Sequence, residues 1–241
     1  MASNITLRPP STSKGTQPAD FLPPSTAWLQ GTWNVSYATL PMWKTKRNVQ
    51  ITYQPLPATA TATAAGASNL ATEGGDDGAP AAGGETDRID DVVSYQTLHS
   101  DKVKTIHGVD NASGGDASKW DWRGKGWLAI ASSHWEVLGY GSGKPPPPSS
   151  PPPLSSSLNN TATDSAAEVV ADAEIEEWIV TYFAKTLFTP AGIDIYSRPA
   201  SRLSVGIVEA VKAALAKIDD PDIQKLGGEL FEVKHDGGRN G

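Results

Sequence analysis

At 241 residues the chain has the length of one large or two small domains, and its 27 acidic against 20 basic side chains give a net charge of −7. No cluster of Lys and Arg is long enough to track a phosphate backbone, so neither nucleic acid nor an anionic membrane is an expected partner. The absence of Cys excludes disulfides, zinc-thiolate sites and thiol catalysis and suits a reducing compartment. The start carries no apolar run of a secretory signal, and no later run approaches the ~18 apolar residues of a membrane span, so a cytoplasmic protein with no membrane span is expected.

In chain order, residues 1–21 read as a flexible N-terminus and 22–235 as a single barrel domain, interrupted by low-complexity insertions at 57–88 and 142–172. The first insertion is Ala, Thr, Gly and acidic residues, the second mainly Pro, Ser and Gly. Neither has the periodic apolar residues that offset the entropy of ordering a chain, so both are expected to be disordered regions. The remainder is a succession of short segments rich in Val, Ile, Thr, Tyr and Trp, separated by Gly, Pro, Asp and Ser, which predicts antiparallel strands. Eight are expected: Thr32–Thr39, Arg47–Gln54, Val92–Leu98, Val103–Val109, Lys119–Ala129, Ser133–Tyr140, Glu176–Lys185 and Gly192–Ser197. The period then changes. Ile207, Val208, Val211, Leu215 and Ile218 fall on one helical stripe, capped by Ser201 or Ser204 and ended by Asp219-Asp220-Pro221, and Leu230-Phe-Glu-Val233 is a candidate ninth strand. The expected fold class is all-β: an eight-stranded antiparallel up-and-down barrel with one C-terminal helix packed outside.

Two segments carry a family resemblance. Trp28-Leu-Gln-Gly31-Thr-Trp33 resembles the Gly-X-Trp opening of lipocalins, and Ile193-Asp-Ile-Tyr-Ser-Arg198-Pro199 followed by a helix resembles their last strand, Arg and outer helix. Trp178-Ile-Val-Thr-Tyr-Phe183 stands where the family has its seventh strand. The resemblance, to the intracellular or bacterial type of lipocalin in the calycin superfamily, covers about Trp28 to Val233. It implies that Trp33 plugs the closed end and that Arg198 lies flat across it, both in structural roles.

Eight strands leave an interior just wide enough for packed side chains or one small ligand. Alternation from Trp33 predicts inward rows of Val35 and Tyr37, of Val49, Ile51 and Tyr53, of Val103, Thr105 and His107, and of Trp135 and Val137, which together make the expected ligand-binding wall. One bulge would reverse a row. The eight Trp residues either fill the barrel or hold a ligand. His107 is the one candidate for proton transfer; the alternative is a hydrogen-bonded structural histidine. Glu136, Asp121 and Glu177 read as solvent-facing. No metal site is expected from the spacing of His99, His107, His134 and His235, and no cofactor motif is present; Gly124-Lys-Gly126 and Gly139-Tyr-Gly141 read as bends or bulges.

Three functions fit these expectations. The first is binding of a small hydrophobic molecule, such as a lipid, an isoprenoid or a polyketide-type product of secondary metabolism. The second is a cofactor-free isomerase or cyclase of a hydrophobic biosynthetic intermediate, working by substrate positioning in the same pocket. The third is an interaction module recruiting partners through Pro145–Pro148 and Pro151–Pro153.

Overall fold

Strand residues of period two and one helical stripe set the architecture seen in the computed structural model, which describes residues 5–57, 87–143, 175–198 and 203–238. The strands are β1 (Gly31–Ala38), β2 (Lys46–Pro55), β3 (Arg88–Thr97), β4 (Lys104–Ser113), β5 (Asp116–Gly124), β6 (Ser132–Gly143), β7 (Glu176–Phe183) and β8 (Gly192–Ser197). Each pairs antiparallel with the next, and β1 pairs with both β8 and β2, which closes an eight-stranded up-and-down barrel. Closure leaves no long sheet edge. The hairpins β1–β2, β3–β4, β5–β6 and β7–β8 therefore share one end of the barrel. A helical turn, α1 (Thr26–Leu29), introduces β1 at the other.

The two insertions leave and return at directly paired residues, Pro55 opposite Ile89 and Gly143 opposite Glu176. Arg88, Ser142 and Gly143, expected within them, are strand residues. Residues 58–86 and 144–174, which include the two Pro runs, lie outside the described residues.

The C-terminal region holds two helices rather than one. In α2 (Val205–Leu215), the Ser204 side chain accepts from the Ile207 N–H, and Ile207, Val208, Val211, Ala214 and Leu215 are buried. They pack on the outward row of β7 and β8, with Trp178, Val180, Ile193 and Ile195. Asp219-Asp220-Pro221 does not only end this helix. Asp220 caps the next, α3 (Pro221–Gly228), accepting from the N–H groups of Asp222 and Ile223, with Pro221 at the first helical position.

A short β9 (Phe231–Glu232) pairs with Tyr37 and Ala38 of β1. The chain after it enters the seam where β1 and β2 part: Val233 N–H donates to the Ser36 carbonyl and Asn48 N–H to the Lys234 carbonyl. Asp236 then accepts from Arg47 and from the Asn48 side chain, each at 2.7 Å.

The N-terminal segment, expected to be flexible, is packed from Leu7 to Pro10. Arg8 N–H donates to the Leu138 carbonyl at 2.8 Å, and its guanidinium reaches the Val137 carbonyl, Ser118 and Glu136. Glu136 is thus buried rather than solvent-facing. Burial alone would raise its pKa, but the His134 ring, the Ser11 hydroxyl and N–H and the Arg8 charge outweigh it and hold the carboxyl at about 2. No amphipathic period marks this segment, because one buried cation and a single core side chain, Leu7, fix it rather than a repeating apolar face.

Expected strand five also ends early. β5 stops at Gly124, whose added Cβ would meet the Leu128 carbonyl oxygen at 2.3 Å, and the chain turns through Gly126–Leu128 into β6.

Candidate functional site: the barrel interior

One end of the interior is closed by aromatic packing. Trp33 is fully buried, and its indole N–H donates to the Leu29 carbonyl at 2.8 Å. Arg198 Cζ stands 3.7 Å from the Trp33 ring centroid, and the guanidinium also meets the Trp28 carbonyl and Glu177. Gly31 explains the Gly of the motif. Its φ is +103°, and any Cβ would stand 2.7 Å from Arg198 Nη1.

Along the wall, Val35, Val49, Ile51, Tyr53, Trp135 and Val137 face inward in one buried cluster with Trp43 and Trp120. Trp135 is stacked between Tyr53 and Trp120, with centroids 5.8 Å away on each side. Much of the mid-barrel is therefore an aromatic column.

Four expected wall residues lie elsewhere. A bulge between Val35 and Tyr37 shifts the register against β8, so Tyr37 points outward, where Lys212 of α2 lies over its ring. Val103 precedes β4 and is exposed, as are Thr105 and His107. The inward row of β4 is the opposite one: Gly108, Asp110 and Ala112. His107 faces away from the interior, which removes it as the proton-transfer candidate.

In its place the interior holds acids. Asp91 of β3, Asp110 of β4 and Asp194 of β8 are all buried. Trp135 Nε1 donates to Asp110 Oδ1 at 2.8 Å, and Trp43 Nε1, from the turn Pro41–Thr45, donates to Asp194 Oδ2 at 2.9 Å. Trp122 bonds Asp91. Its indole lies across Gly108, where a Cβ would come within 2.1 Å of Nε1, so glycine there makes room for the ring.

The Asp91 and Asp110 carboxyls are in hydrogen-bonding contact with each other. Two carboxylates have only acceptors, so the contact requires a proton on one of them. Burial and then a neighbouring acid's charge raise both: Asp90 acts on Asp91, and Asp91 on Asp110. Asp194 is raised to about 7 by burial, against the opposing pull of the Trp43 N–H. Burial likewise pushes up the phenols of Tyr53 and Tyr196, and each also senses the charges of all three acids, which marks one connected cluster.

Apart from the Asp91–Asp110 contact, four buried side-chain atoms of this cluster have no hydrogen-bond partner: Asp91 Oδ1, Asp110 Oδ2, Asp194 Oδ1 and Tyr196 Oη. A shared proton can join the first two. Thr181 gives its hydroxyl proton to the Asp194 carbonyl and lies against the Tyr196 phenol, and the Thr39 N–H acts on the Asp194 carboxyl, but no group reaches Asp194 Oδ1 or Tyr196 Oη themselves in bonding geometry. They sit two residues apart on the inward face of β8. The described residues contain no group of three or more His, Asp or Glu positioned to hold a metal ion, and no helix among them is long and apolar enough to cross a membrane.

The acids carried a readable signal in the sequence. Ile89, Asp91, Val93 and Tyr95 alternate on β3, so Asp91 belongs to an otherwise apolar row.

No protein-family model matches the chain, and no curated protein matches it. Among solved structures it is similar to the siderocalin Ex-FABP, described as functioning through dual ligand specificities. The identity is 12%, over 88% of this chain and 95% of that one, with a TM-score of 0.40. The strand order and closure described above are those of the eight-stranded antiparallel up-and-down barrel that the resemblance implied.

Proposed function

We propose that the barrel binds one small molecule with an apolar body and a polar head, the body against the wall of Val35, Val49, Ile51 and Val137 and the head against Asp194 and Tyr196. The carrying observation is the pair of unpartnered atoms, Asp194 Oδ1 and Tyr196 Oη, on one inward face. Buried polar groups are almost always hydrogen-bonded, and leaving one unpaired costs ~1–3 kcal/mol. A ligand hydroxyl or N–H that meets both recovers that cost, while apolar area supplies the bulk of the affinity. A lipid, an isoprenoid or a polyketide-type molecule bearing such a group fits the description.

Two naphthalenes of nearly equal body test this. 2-Naphthol has a donor and 2-methoxynaphthalene has none. Quenching of Trp emission is expected to report one site per chain, with 2-naphthol bound on the order of tenfold more tightly. The difference is expected to shrink in Tyr196→Phe and in Asp194→Asn, whose remaining oxygen stays with Trp43. Absence of saturable binding of either compound would show an interior filled by its own side chains.

The Asp91–Asp110 pair favours a second reading, a cofactor-free isomerase or cyclase. A carboxyl pair holding one proton offers an acid and a base side by side, which is what moving a proton between two positions of a bound substrate requires. Under this reading Asp110→Asn abolishes turnover while ligand binding persists.

A further inference from the structure

The end of the barrel opposite the Trp33–Arg198 stack is formed by the four hairpins β1–β2, β3–β4, β5–β6 and β7–β8. Two of them carry large apolar side chains held out into solvent: Trp127 and Ile130 on β5–β6, Leu187 and Phe188 on β7–β8, each between 83 and 90% exposed. Met42, Leu98 and Val103, on the other two hairpins, are also exposed. The β5–β6 and β7–β8 loops are neighbours, because Ala184 N–H donates to the His134 carbonyl where β6 and β7 emerge. An apolar rim of this kind on a soluble face marks an interaction surface.

Charge identifies the partner. The four hairpin loops contain Lys44, Lys102, Lys125 and Lys185 against a single acid, Asp101, in a chain whose net charge is −7; of these lysines Lys125 is paired with Asp90 of β3. Asp101 is itself held by Arg47 at the start of β2. Lys46 and Lys104 begin the adjoining strands. The overall negative charge conceals a positive, aromatic-bearing end, assembled from loops far apart in the chain and so invisible to a search for one run of Lys and Arg.

We propose that this end docks on an anionic lipid surface, with Trp127, Ile130, Leu187 and Phe188 entering the headgroup region and the lysines facing the lipid charge. Trp and Phe suit that depth because their rings are amphipathic or apolar while the loop backbone stays hydrated. Each Lys near such a surface adds attraction that salt screens within about 10 Å.

The test uses the full chain with vesicles of phosphatidylcholine alone and of equimolar phosphatidylcholine and phosphatidylserine. The expected result is co-sedimentation with the mixed vesicles, weakened on the order of tenfold on neutral ones or in Lys102→Gln/Lys185→Gln. Brominated acyl chains are expected to quench emission in the wild type, and Trp127→Phe to lose that quenching. Trp127→Ser/Phe188→Ser should detach the protein, while its melting curve and naphthol binding stay unchanged, since these side chains touch neither core nor interior. Two results would overturn the proposal: no binding to the mixed vesicles, or equal binding by the serine variant. A concentration-dependent dimer that the serine variant abolishes, without vesicle binding, would assign the face to protein contact instead.

Discussion

Replacing Asp194 by Asn should make the protein more stable at pH 8 and leave it nearly unchanged at pH 5. Asp194 is fully buried, and its pKa is raised from 3.8 to about 7. A carboxyl raised on folding favours the folded state below its unfolded pKa, and that advantage is lost as pH rises through the folded pKa. Between about 4 and 7 the unfolded chain has released the proton while the folded one keeps it, so stability falls with pH and levels off above 7. The full difference corresponds to about 4 kcal/mol at 1.36 kcal/mol per pH unit, of which ~3 kcal/mol falls between pH 5 and 8. Asn keeps an oxygen for the Trp43 N–H, but its amide nitrogen inherits the unpartnered position of Oδ1, at a cost of ~1–3 kcal/mol. The expected net gain is therefore about 1–3 kcal/mol at pH 8 and close to nothing at pH 5. Urea unfolding followed by Trp emission at both pH values measures it, and the comparison with wild type cancels the Asp91–Asp110 contribution. Glu136, held at about 2, does not titrate in this window. Parallel stability curves for wild type and variant from pH 5 to 8 would refute the argument, since Asp194 would then not be exchanging its proton there.

Other measurements address the frame. Trp33→Ala should cost ~3–5 kcal/mol and Arg198→Ala less, with a double-mutant coupling of ~0.5–3 kcal/mol because the two groups stack; additive losses would show that the stack contributes nothing. Arg8→Ala should cost ~3–5 kcal/mol by leaving Glu136 buried without its cation, whereas Arg8→Met with Glu136→Leu should cost much less. Short Gly-Ser turns in place of residues 58–86 and 144–174 should shift urea-derived stability by less than ~2 kcal/mol, since each insertion joins residues already paired across a hairpin.

The barrel was legible because its signal is distributed: eight runs of period two and one helical stripe survive local errors. The interior rows were less so, because each depends on where a single parity is anchored. Tyr37 left its row through one bulge that the neighbouring residues do not announce. The β4 row was anchored on Val103, which lies before the strand, so that Thr105 and His107 inherited the wrong face. Polarity added a second error in the same place, since an acid beside Gly108 and Ala112 reads as solvent-facing unless the row is followed from strand to strand. Pairing in the structure supplies that link: Asp91 stands opposite Gly108, and Asp110 opposite Trp122. The N-terminal segment and α3 escaped because one is fixed by a buried ion pair and the other is only Pro221–Gly228, too short for a periodic pattern.

The distribution of satisfied and unsatisfied polar groups separates frame from site. On the outer wall, Glu136 receives Ser11, Arg8 and His134, and at the seam Asp236 receives Arg47, Asn48 and the Gly238 N–H. Both acids are held well below the usual carboxylate range, which is the mark of charges that strengthen a fold when ionised. The interior acids are displaced the other way. Among the described residues every buried side-chain atom without a partner belongs to the inward cluster of Asp91, Asp110, Asp194 and Tyr196. A barrel of this size could fill the same positions with Val or Leu and gain stability at neutral pH, since apolar replacement of buried charge is often neutral or stabilising. The cost is confined to the one region where a bound molecule can offset it, and that confinement, more than the barrel shape, supports a ligand whose polar head meets Asp194 and Tyr196.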